Sequence, residues 1–200
     1  MHMNSGPRTL LVVVLAGASI VLQTAAWAQP AGAPLKTQPV PLPPLPHPPG
    51  DIPDTQAFVD YHSPLGFSVK VPEGWSRRDA PDGVFFASTY DAVSVRLGRS
   101  VAAPSPASVK RDQAAALEKS AAAVRITKIA AVRLPAGRAV LISFSSNSKP
   151  NPVTGKAIRL ENDQYLFWKD GRLATLVLSA PLGADNVDQW QLMARSFQWQ

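Results

Sequence analysis

The sequence contains no cysteine among its 200 residues. No thiol is therefore available as a nucleophile, for disulfide exchange, or as a ligand in a thiolate zinc or iron–sulfur site. Histidine is almost as scarce, because His62 is the only one of the three histidines that lies beyond residue 54. These absences argue against a zinc hydrolase or a redox protein, and we expect neither a cofactor nor a metal.

Motifs that bind phosphate or expose a nucleophilic serine are missing as well. The chain has no G-x-x-x-x-G-K-[ST], no G-x-G-x-x-G and no G-x-S-x-G sequence. Acidic residues are few, with 14 Asp and Glu against 20 Lys and Arg, which gives a net charge of +6. Triad residue types occur at Asp60, His62 and Ser63, but residues this close in sequence do not converge easily as a triad. We interpret His62 as a surface or strand-edge residue.

Residues 1–28 have the three parts of a secretory signal peptide. Arg8 and the amino terminus are positive, residues 10–22 are an apolar run, and residues 26–28 form an A-x-A cleavage site. The run is shorter than the ~20 apolar residues of a transmembrane helix, and an uncleaved anchor is the alternative. Since no cysteine can carry a lipid, we expect a periplasmic or secreted protein with no stable membrane anchor and no nucleic-acid partner.

Residues 29–54 hold ten of the chain's 20 prolines. Proline lacks an amide donor and restricts φ, so this strip is not expected to form helix or sheet. The composition predicts an extended polyproline II or disordered linker. Its simplest role is a spacer, while the P-x-x-P pattern of residues 41–44 leaves open a docking ligand.

Residues 55–200 carry the patterns of a single α+β domain. Apolar and polar residues alternate over 67–71, 92–101 and 124–134, and shorter apolar strands are indicated at 84–88 and 138–145. Strand patterns at 158–169 and 172–180 flank Asp170 and Gly171, the sequence most typical of a two-residue hairpin turn. This order of elements predicts an antiparallel sheet with a helix after its first strands and another at its end.

Two segments predict these helices. Ser105 and Pro106 suit the N-cap and the first position of a helix running to about residue 122. Asp185 or Asn186 can cap a second helix that ends near Ser196. Its expected apolar stripe is Val187, Trp190, Ala194 and Phe197.

Residues 66–75 read G-F-S-V-K-V-P-E-G-W. This resembles the opening strand and turn of the PsbP-like superfamily, which includes proteins of the PsbP, Mog, DcrB and LpqN types. The hairpin at 165–178 and the end of the last helix fit the family's closing stretch, so the resemblance covers about residues 61–199. It implies an α-β-α sandwich and a binding or assembly role rather than an enzyme. No binding residue is carried over, because the branches of the family do not share one site.

Glu161 and Asp163 lie two apart on a predicted strand and therefore on one face. A paired-carboxylate acid/base site would also need a cleft that raises one pKa. We interpret the two as solvated surface residues, and a buried pair with shifted pKa values would favour a hydrolase instead. The tryptophans at 75, 168 and 190 are expected to pack in the core, and Trp199 to be half exposed.

Basic residues are concentrated between positions 110 and 138. On one side of the domain they would attract an anionic lipid, an acidic glycan or an acidic protein of the envelope, and otherwise they serve solubility. The polar segment 146–156 is the best candidate recognition loop. The candidate partner-binding residues are Lys149, Asn151, Thr154, Lys156, Lys110 and Arg111.

The composition and the resemblance together predict an exported, non-enzymatic accessory protein of the bacterial cell envelope. It would engage a protein partner or an envelope component through a sheet face or the 146–156 loop. The alternative is a periplasmic protein that binds a small ligand or a glycan in a pocket between sheet and helix. A large exposed apolar patch would favour the protein partner.

Overall fold

The alternating segments form antiparallel strands in a computed structural model, which describes residues 39–120 and 122–200. The strands are β1 Phe58–Ser63, β2 Phe67–Pro72, β3 Ser76–Ala80, β4 Gly83–Ala87, β5 Ala92–Arg99, β6 Arg125–Leu134, β7 Gly137–Asn147, β8 Arg159–Lys169, β9 Arg172–Pro181 and β10 Gln198–Trp199. A 7-stranded sheet has the order β3-β4-β5-β9-β8-β7-β6, and a 3-stranded sheet has the order β1-β2-β10. The predicted α+β class is confirmed.

The predicted hairpin joins β8 to β9, with Lys169 paired to Arg172 across the turn. Asp170 and Gly171 both have positive φ, 49° and 78°, as a type I′ turn requires. The sequence patterns missed β1, β3 and β10. All five residues of β3 are exposed, so this edge strand carries no alternation that would reveal it.

The helix predicted from Ser105 is present but short and irregular. It consists of α1 Pro106–Val109, a π-helical segment Lys110–Ala114 and α2 Ala115–Glu118, so it ends before the expected residue 122. Ser105 is the N-cap, and its hydroxyl accepts from the backbone amide of Ser108 while the Ser108 hydroxyl accepts from the amide of Ser105. This reciprocal pair satisfies two amides that the first turn leaves without partners.

The closing helix α3 spans Val187–Ser196, as predicted from its cap and stripe. Trp190 and Ala194 of the stripe are buried, and Phe197, just after the helix, is fully buried. Val187 is a correction, because it is 62% exposed and the buried face instead continues through Met193. The N-cap is Asn186, but its side chain makes no capping bond to the helix.

The large sheet separates two apolar clusters. On one face, α3 and the small sheet cover residues such as Leu141, Tyr165 and Leu176. On the other face, Val109 of α1 packs against Ile142 and its neighbours. The domain therefore has three layers. The helix after β5 is the first, the 7-stranded sheet is the second, and α3 with the 3-stranded sheet is the third.

The second half of the proline-rich strip makes specific contacts with the domain. Residues 39–54 form neither helix nor strand, as their prolines require, but they lie against the domain. Ile52 is 5% exposed and belongs to the core cluster, and the backbone of Leu42 donates to Asn147. The strip contacts the domain because its amides between prolines find side-chain acceptors there.

The predicted signal peptide, residues 1–28, and the first part of the linker lie outside the described residues. Within residues 39–120 and 122–200, no helix is both long and apolar enough to span a membrane. The division of the chain into residues 1–28, 29–54 and 55–200 stays a prediction.

Candidate functional site

A cleft lies between the large sheet and α3, and strand register builds its floor. Lys128 of β6 pairs with Ser143 of β7, which pairs in turn with Asp163 of β8. Directly paired residues of antiparallel strands point to the same face, so these three side chains form one polar row. Glu161 and Tyr165 flank Asp163 on the same face of β8.

The amino-terminal half of α3 forms the opposite wall of this cleft. Trp190 and Gln191 face the polar row, together with Asn186 and Val187 at the start of the helix. The cleft has a volume of about 320 Å³. Gly183, with φ of 96°, makes the turn that brings the chain from β9 back over the sheet into α3.

The carboxylates of the cleft are only partly solvated. The Ser143 hydroxyl donates to Asp163 Oδ1 at 2.5 Å, and Tyr165 Oη lies 3.5 Å from Asp163 Oδ2. Burial raises the pKa of Asp163 above its ordinary value, while the bond from Ser143 opposes that rise. Burial and the nearby Asp163 carboxylate raise the pKa of Tyr165 to about 12.

Glu161 shares the environment of its neighbour. Burial raises its pKa, and the negative charge of Asp163 adds to that rise. Among the described residues, neither Glu161 nor Asp163 has a cation within ion-pair distance. Glu161 and Asp163 are therefore half-buried in the cleft opposite α3, and water still reaches part of each side chain.

Glu161 and Asp163 are the carboxylate pair of the cleft. A pair of carboxylates divides into acid and base when its surroundings push the two pKa values apart. Here burial raises the pKa of both carboxyl groups, while hydrogen bonds from Ser143 and Tyr165 oppose the rise at Asp163. In residues 39–120 and 122–200, no group of three or more metal-ligating side chains is arranged to hold an ion.

The candidate loop residues do not face this cleft. Asn151 Oδ1 accepts from the amides of Val153 and Thr154 at 2.9 and 3.0 Å, and Thr154 Oγ1 accepts from the amide of Lys156 at 3.3 Å. Asn151 and Thr154 thus shape the loop itself, whereas Lys149 and Lys156 are exposed. The loop presents Val153, which is 90% exposed.

Lys110 and Arg111 are exposed on the helical layer, across the sheet from the cleft. Arg111 donates twice to Asp112, and this bond raises the pKa of its guanidinium. Lys128 belongs to the cleft on the other face. The basic residues between positions 110 and 138 are therefore divided between two faces and do not form one patch.

His62 is exposed on the edge strand β1, as predicted. Its Nδ1 lies 2.6 Å from Nε2 of Gln200, and the neighbouring Asp60 pairs with Lys70 instead. Ser63 is buried and accepts from the amide of Leu65. The three residues do not converge as a triad.

The tryptophans pack largely as expected. Trp190 is 9% exposed and lies in the core cluster, where it also lines the cleft, and Trp168 Nε1 donates to the Ser100 carbonyl at 2.9 Å. Trp199 is half buried beneath the guanidinium of Arg172. Large exposed apolar side chains, among the described residues, are dispersed over the strip, β1, the loops and α3.

Sequence patterns indicated Glu161, Asp163, Lys128 and Trp190 separately, but they missed Ser143, Tyr165 and Gln191 as members of one site. The alternation of β7 and β8 assigns each residue to a face. The register between these strands is set across a long loop rather than a tight turn, and no local signal specifies it.

No protein-family model matches the chain, and no curated protein matches it significantly in sequence. Solved structures do share its architecture, an antiparallel sheet covered by helices. Cyanobacterial PsbP from Synechocystis sp. PCC 6803 matches with a TM-score of 0.53 at 14% identity, covering 76% of this chain and 98% of that one. The chain therefore has the PsbP-like fold.

Two further solved structures align less closely. The Ran-binding protein Mog1p of Saccharomyces cerevisiae gives a TM-score of 0.48 at 12% identity, covering 72% of this chain and 96% of that chain. LpqN of Mycobacterium tuberculosis, described as involved in cell envelope biogenesis, gives 0.45 at 13% identity, covering 72% and 91%.

Proposed function

We propose that this chain is an exported binding protein of the bacterial cell envelope that catalyses no reaction, and that the cleft beneath α3 is its ligand site. The observation that carries the proposal is a cavity of about 320 Å³ that collects two half-buried carboxylates, a serine, a tyrosine and a tryptophan. A concave site with an apolar wall and a few converging polar groups is the usual form of a small-molecule site.

The chemistry of the lining suggests a polar ligand rich in hydrogen-bond donors. Ionised Glu161 and Asp163 are acceptors only, so they are best satisfied by hydroxyl or amino groups of a ligand. Trp190 and Tyr165 offer apolar surface beside them, and Lys128 and Gln191 add donors at the rim. The volume is at the lower end of the range for ligand pockets, which favours a small ligand or one end of a larger one.

Export is supported by sequence. Residues 1–28 have the pattern of a secretory signal peptide, and a cysteine-free chain avoids mispaired disulfides in an oxidising compartment. We propose a periplasmic or secreted location, with residues 29–38 as the connecting part of the linker.

A second candidate function is docking of an envelope protein on the loop at residues 146–156. The feature that favours it is the loop's order, because the Asn151 turn holds Val153 fully out of the domain between Lys149 and Lys156. An ordered loop that presents one apolar side chain between two cations suits an acidic partner surface.

Retention of small molecules from an envelope extract tests the first proposal. The purified protein would be equilibrated with the extract and washed, and the ligands it retains would be identified by mass spectrometry. We expect one dominant compound on the wild type and at least tenfold less on a Glu161→Gln, Asp163→Asn double variant. The loss follows from replacing two charged acceptors that the ligand donors require.

A matched control is the double variant Glu73→Gln, Glu118→Gln, which removes the same charge at two exposed positions. It should retain the compound as the wild type does. Retention that is equal on all three proteins would contradict a cleft site.

Cross-linking in living cells tests the second candidate function. A partner that binds the loop at residues 146–156 should be captured by the wild type and lost when the loop is replaced by Gly and Ser.

A further inference from the structure

Residues 48–54 form a strap across the amino-terminal end of α3. Asn186 holds its centre, because its Oδ1 accepts from the Ile52 amide at 2.7 Å and its Nδ2 donates to the Gly50 carbonyl at 2.8 Å. Asp51 Oδ1 accepts from the Asp185 amide at 2.8 Å. Asn186 is 2% exposed, so the N-cap residue of α3 uses its side chain to bind the strap rather than to cap the helix.

The strap fits its site closely. Ile52 fills the core at 5% exposure. Gly50 has φ of +104°, and a Cβ at this position would lie 2.9 Å from Asp91 Oδ1 and 3.0 Å from Pro181 Cδ. Glycine is therefore required at this position for two reasons, its positive φ and the lack of room for a Cβ above Asp91 and Pro181.

Asp91 lies directly beneath the strap and is 6% exposed. Ser88 donates to its Oδ2 at 2.9 Å, and Asn186 Nδ2 is 3.5 Å from its Oδ1. From the strap, the charged Asp51 faces Asp91 and repels its ionised form. From α3 and from the turn before β5, the groups that face Asp91 are the neutral Asn186 and Ser88. Burial, with the charge of Asp51 as a smaller cause, raises the pKa of Asp91 to about 6.

We propose that residues 48–54 are a pH-controlled strap, which binds the start of α3 more tightly while Asp91 is neutral than when Asp91 is ionised. Asn186 and Val187, at the end of α3 that the strap holds, also line the cleft. Release therefore changes the shape of the ligand site, a consequence that rests on the proposed function of the cleft.

The direction of the pH effect follows from proton binding. The docked strap raises the pKa of Asp91 from 3.8 to about 6, so the docked state binds the proton more tightly than a released state in which water reaches the carboxylate. Docking is thus favoured at low pH and is weakened as pH rises through the interval between these two values. If release restores the ordinary pKa, the ratio of released to docked protein rises by about twentyfold between roughly pH 4.5 and 7.5.

Hydrogen exchange of the Ile52 amide in the intact protein measures this ratio, because that amide is bonded only through the docked strap. After correction for the intrinsic effect of pH, we expect Ile52 protection to fall by about twentyfold between pH 4.5 and 7.5. Protection of the Leu176 amide, in the central strand β9, should exceed that of Ile52 at both pH values, which distinguishes release of the strap from global unfolding. The Trp190 indole resonance should move with the same midpoint, since α3 carries it.

Variants separate the parts of the strap. Asp91→Asn should keep Ile52 protected at both pH values, and Asn186→Ala should leave it unprotected at both. Gly50→Ala should release the strap, whereas Gly137→Ala is the matched control. Gly137 has a similar φ of +116° but no atom within 4 Å of an added Cβ, so it tests backbone strain alone.

Ile52 protection in the wild type that does not depend on pH would overturn the proposal, as would an unchanged pH dependence in Asp91→Asn. A Trp190 resonance that ignores the transition would overturn the link between strap and cleft. None of these readouts uses a ligand. Failure of the extract experiment would reject the proposed function and leave the exchange results standing, so the two failures are distinguishable.

Discussion

Arg159 illustrates, at the scale of one residue, how a buried cation joins distant segments. It is 3% exposed, and its guanidinium donates to the Ala123 carbonyl at 2.8 Å, Asn147 Oδ1 at 2.9 Å and Ser145 Oγ at 2.6 Å. Asn147 in turn binds the proline-rich strip through Val40 and Leu42. One planar fork thus connects the end of β7, the start of β6 and the strip.

Replacing Arg159 with alanine should lower the free energy of unfolding by about 2–4 kcal/mol, because three acceptors lose their donor. Arg159→Lys should recover little, since an ammonium group cannot reproduce the fork. Urea denaturation measures both. Arg96→Ala is the control, as its exposed ion pair with Asp82 should contribute less than about 1 kcal/mol. Equal losses at the two positions would contradict this role.

The cleft carboxylates should lower the free energy of unfolding at neutral pH. Burial raises the pKa of Glu161 and of Asp163, so each group binds its proton more tightly in the folded state than in the unfolded state. Their contribution to stability is therefore largest at acidic pH and is lost as pH rises through the folded-state pKa values.

The Glu161→Gln, Asp163→Asn variant should consequently be more stable than the wild type at pH 7, because neither replacement carries the half-buried charge. The difference should shrink towards pH 3. Chemical denaturation at several pH values tests this trend. A variant less stable than the wild type at pH 7 would mean that the carboxylates stabilise the fold at that pH.

At the scale of elements, α3 forms one wall of the cleft and closes one side of the core. Phe197 at its end stacks on Phe167 with ring centroids 4.3 Å apart, and Phe67 of β2 lies 5.9 Å from Phe197 on the small sheet. Aromatic contacts of this kind join the two sheets through the end of one helix. The position of α3 is therefore set by packing at its carboxyl end and by the strap at its amino end.

Met193→Ala should lower the free energy of unfolding by about 2–5 kcal/mol, because Met193 is fully buried and its loss leaves a cavity. Leu192→Ala is a neighbouring control on the same helix, and at 41% exposure it should lose less than about 1 kcal/mol. Thermal and urea unfolding measure both changes. Similar losses at the two positions would show that α3 is not packed as described.

At the scale of the whole molecule, the proline-rich strip belongs partly to the folded unit. Residues 40–54 supply a core side chain and hydrogen bonds to β7, α3 and the turn before it. Gln189 of α3, for example, donates to Asp54 at 3.1 Å. A linker that ends at residue 54 would contribute none of these contacts.

A chain that begins at residue 55 should therefore be less stable than one that begins at residue 39. Losing the burial of Ile52 and the bonds to Asn186 should cost about 3–4 kcal/mol, or about 10 °C in Tm for a domain of this size. Differential scanning calorimetry of the two chains gives the comparison. Equal Tm values would support a spacer extending to residue 54.

Much of the secondary structure was predictable because it depends on neighbours in sequence. Ser105 and Pro106 locate a helix start, and Asp170 with Gly171 locates a hairpin, since the atoms that make these features lie within a few residues. The edge strand β3 was not predictable, because solvent on both sides removes the alternation that marks a strand. Val187 was assigned to the buried face of α3, but it lies at the open cleft and is 62% exposed.

The α+β class, the hairpin at Asp170 and the exclusion of thiol chemistry follow from the sequence, because composition and local backbone preference suffice for these. Tertiary packing was needed to show that Glu161 and Asp163 share a cleft with Trp190, that the basic residues lie on two faces, and that Gly50 and Ile52 dock on Asn186. These contacts join residues far apart in the chain, and Ile52 and Asn186 are 134 positions apart. Their partners are set by strand register and layer packing, which no local pattern specifies.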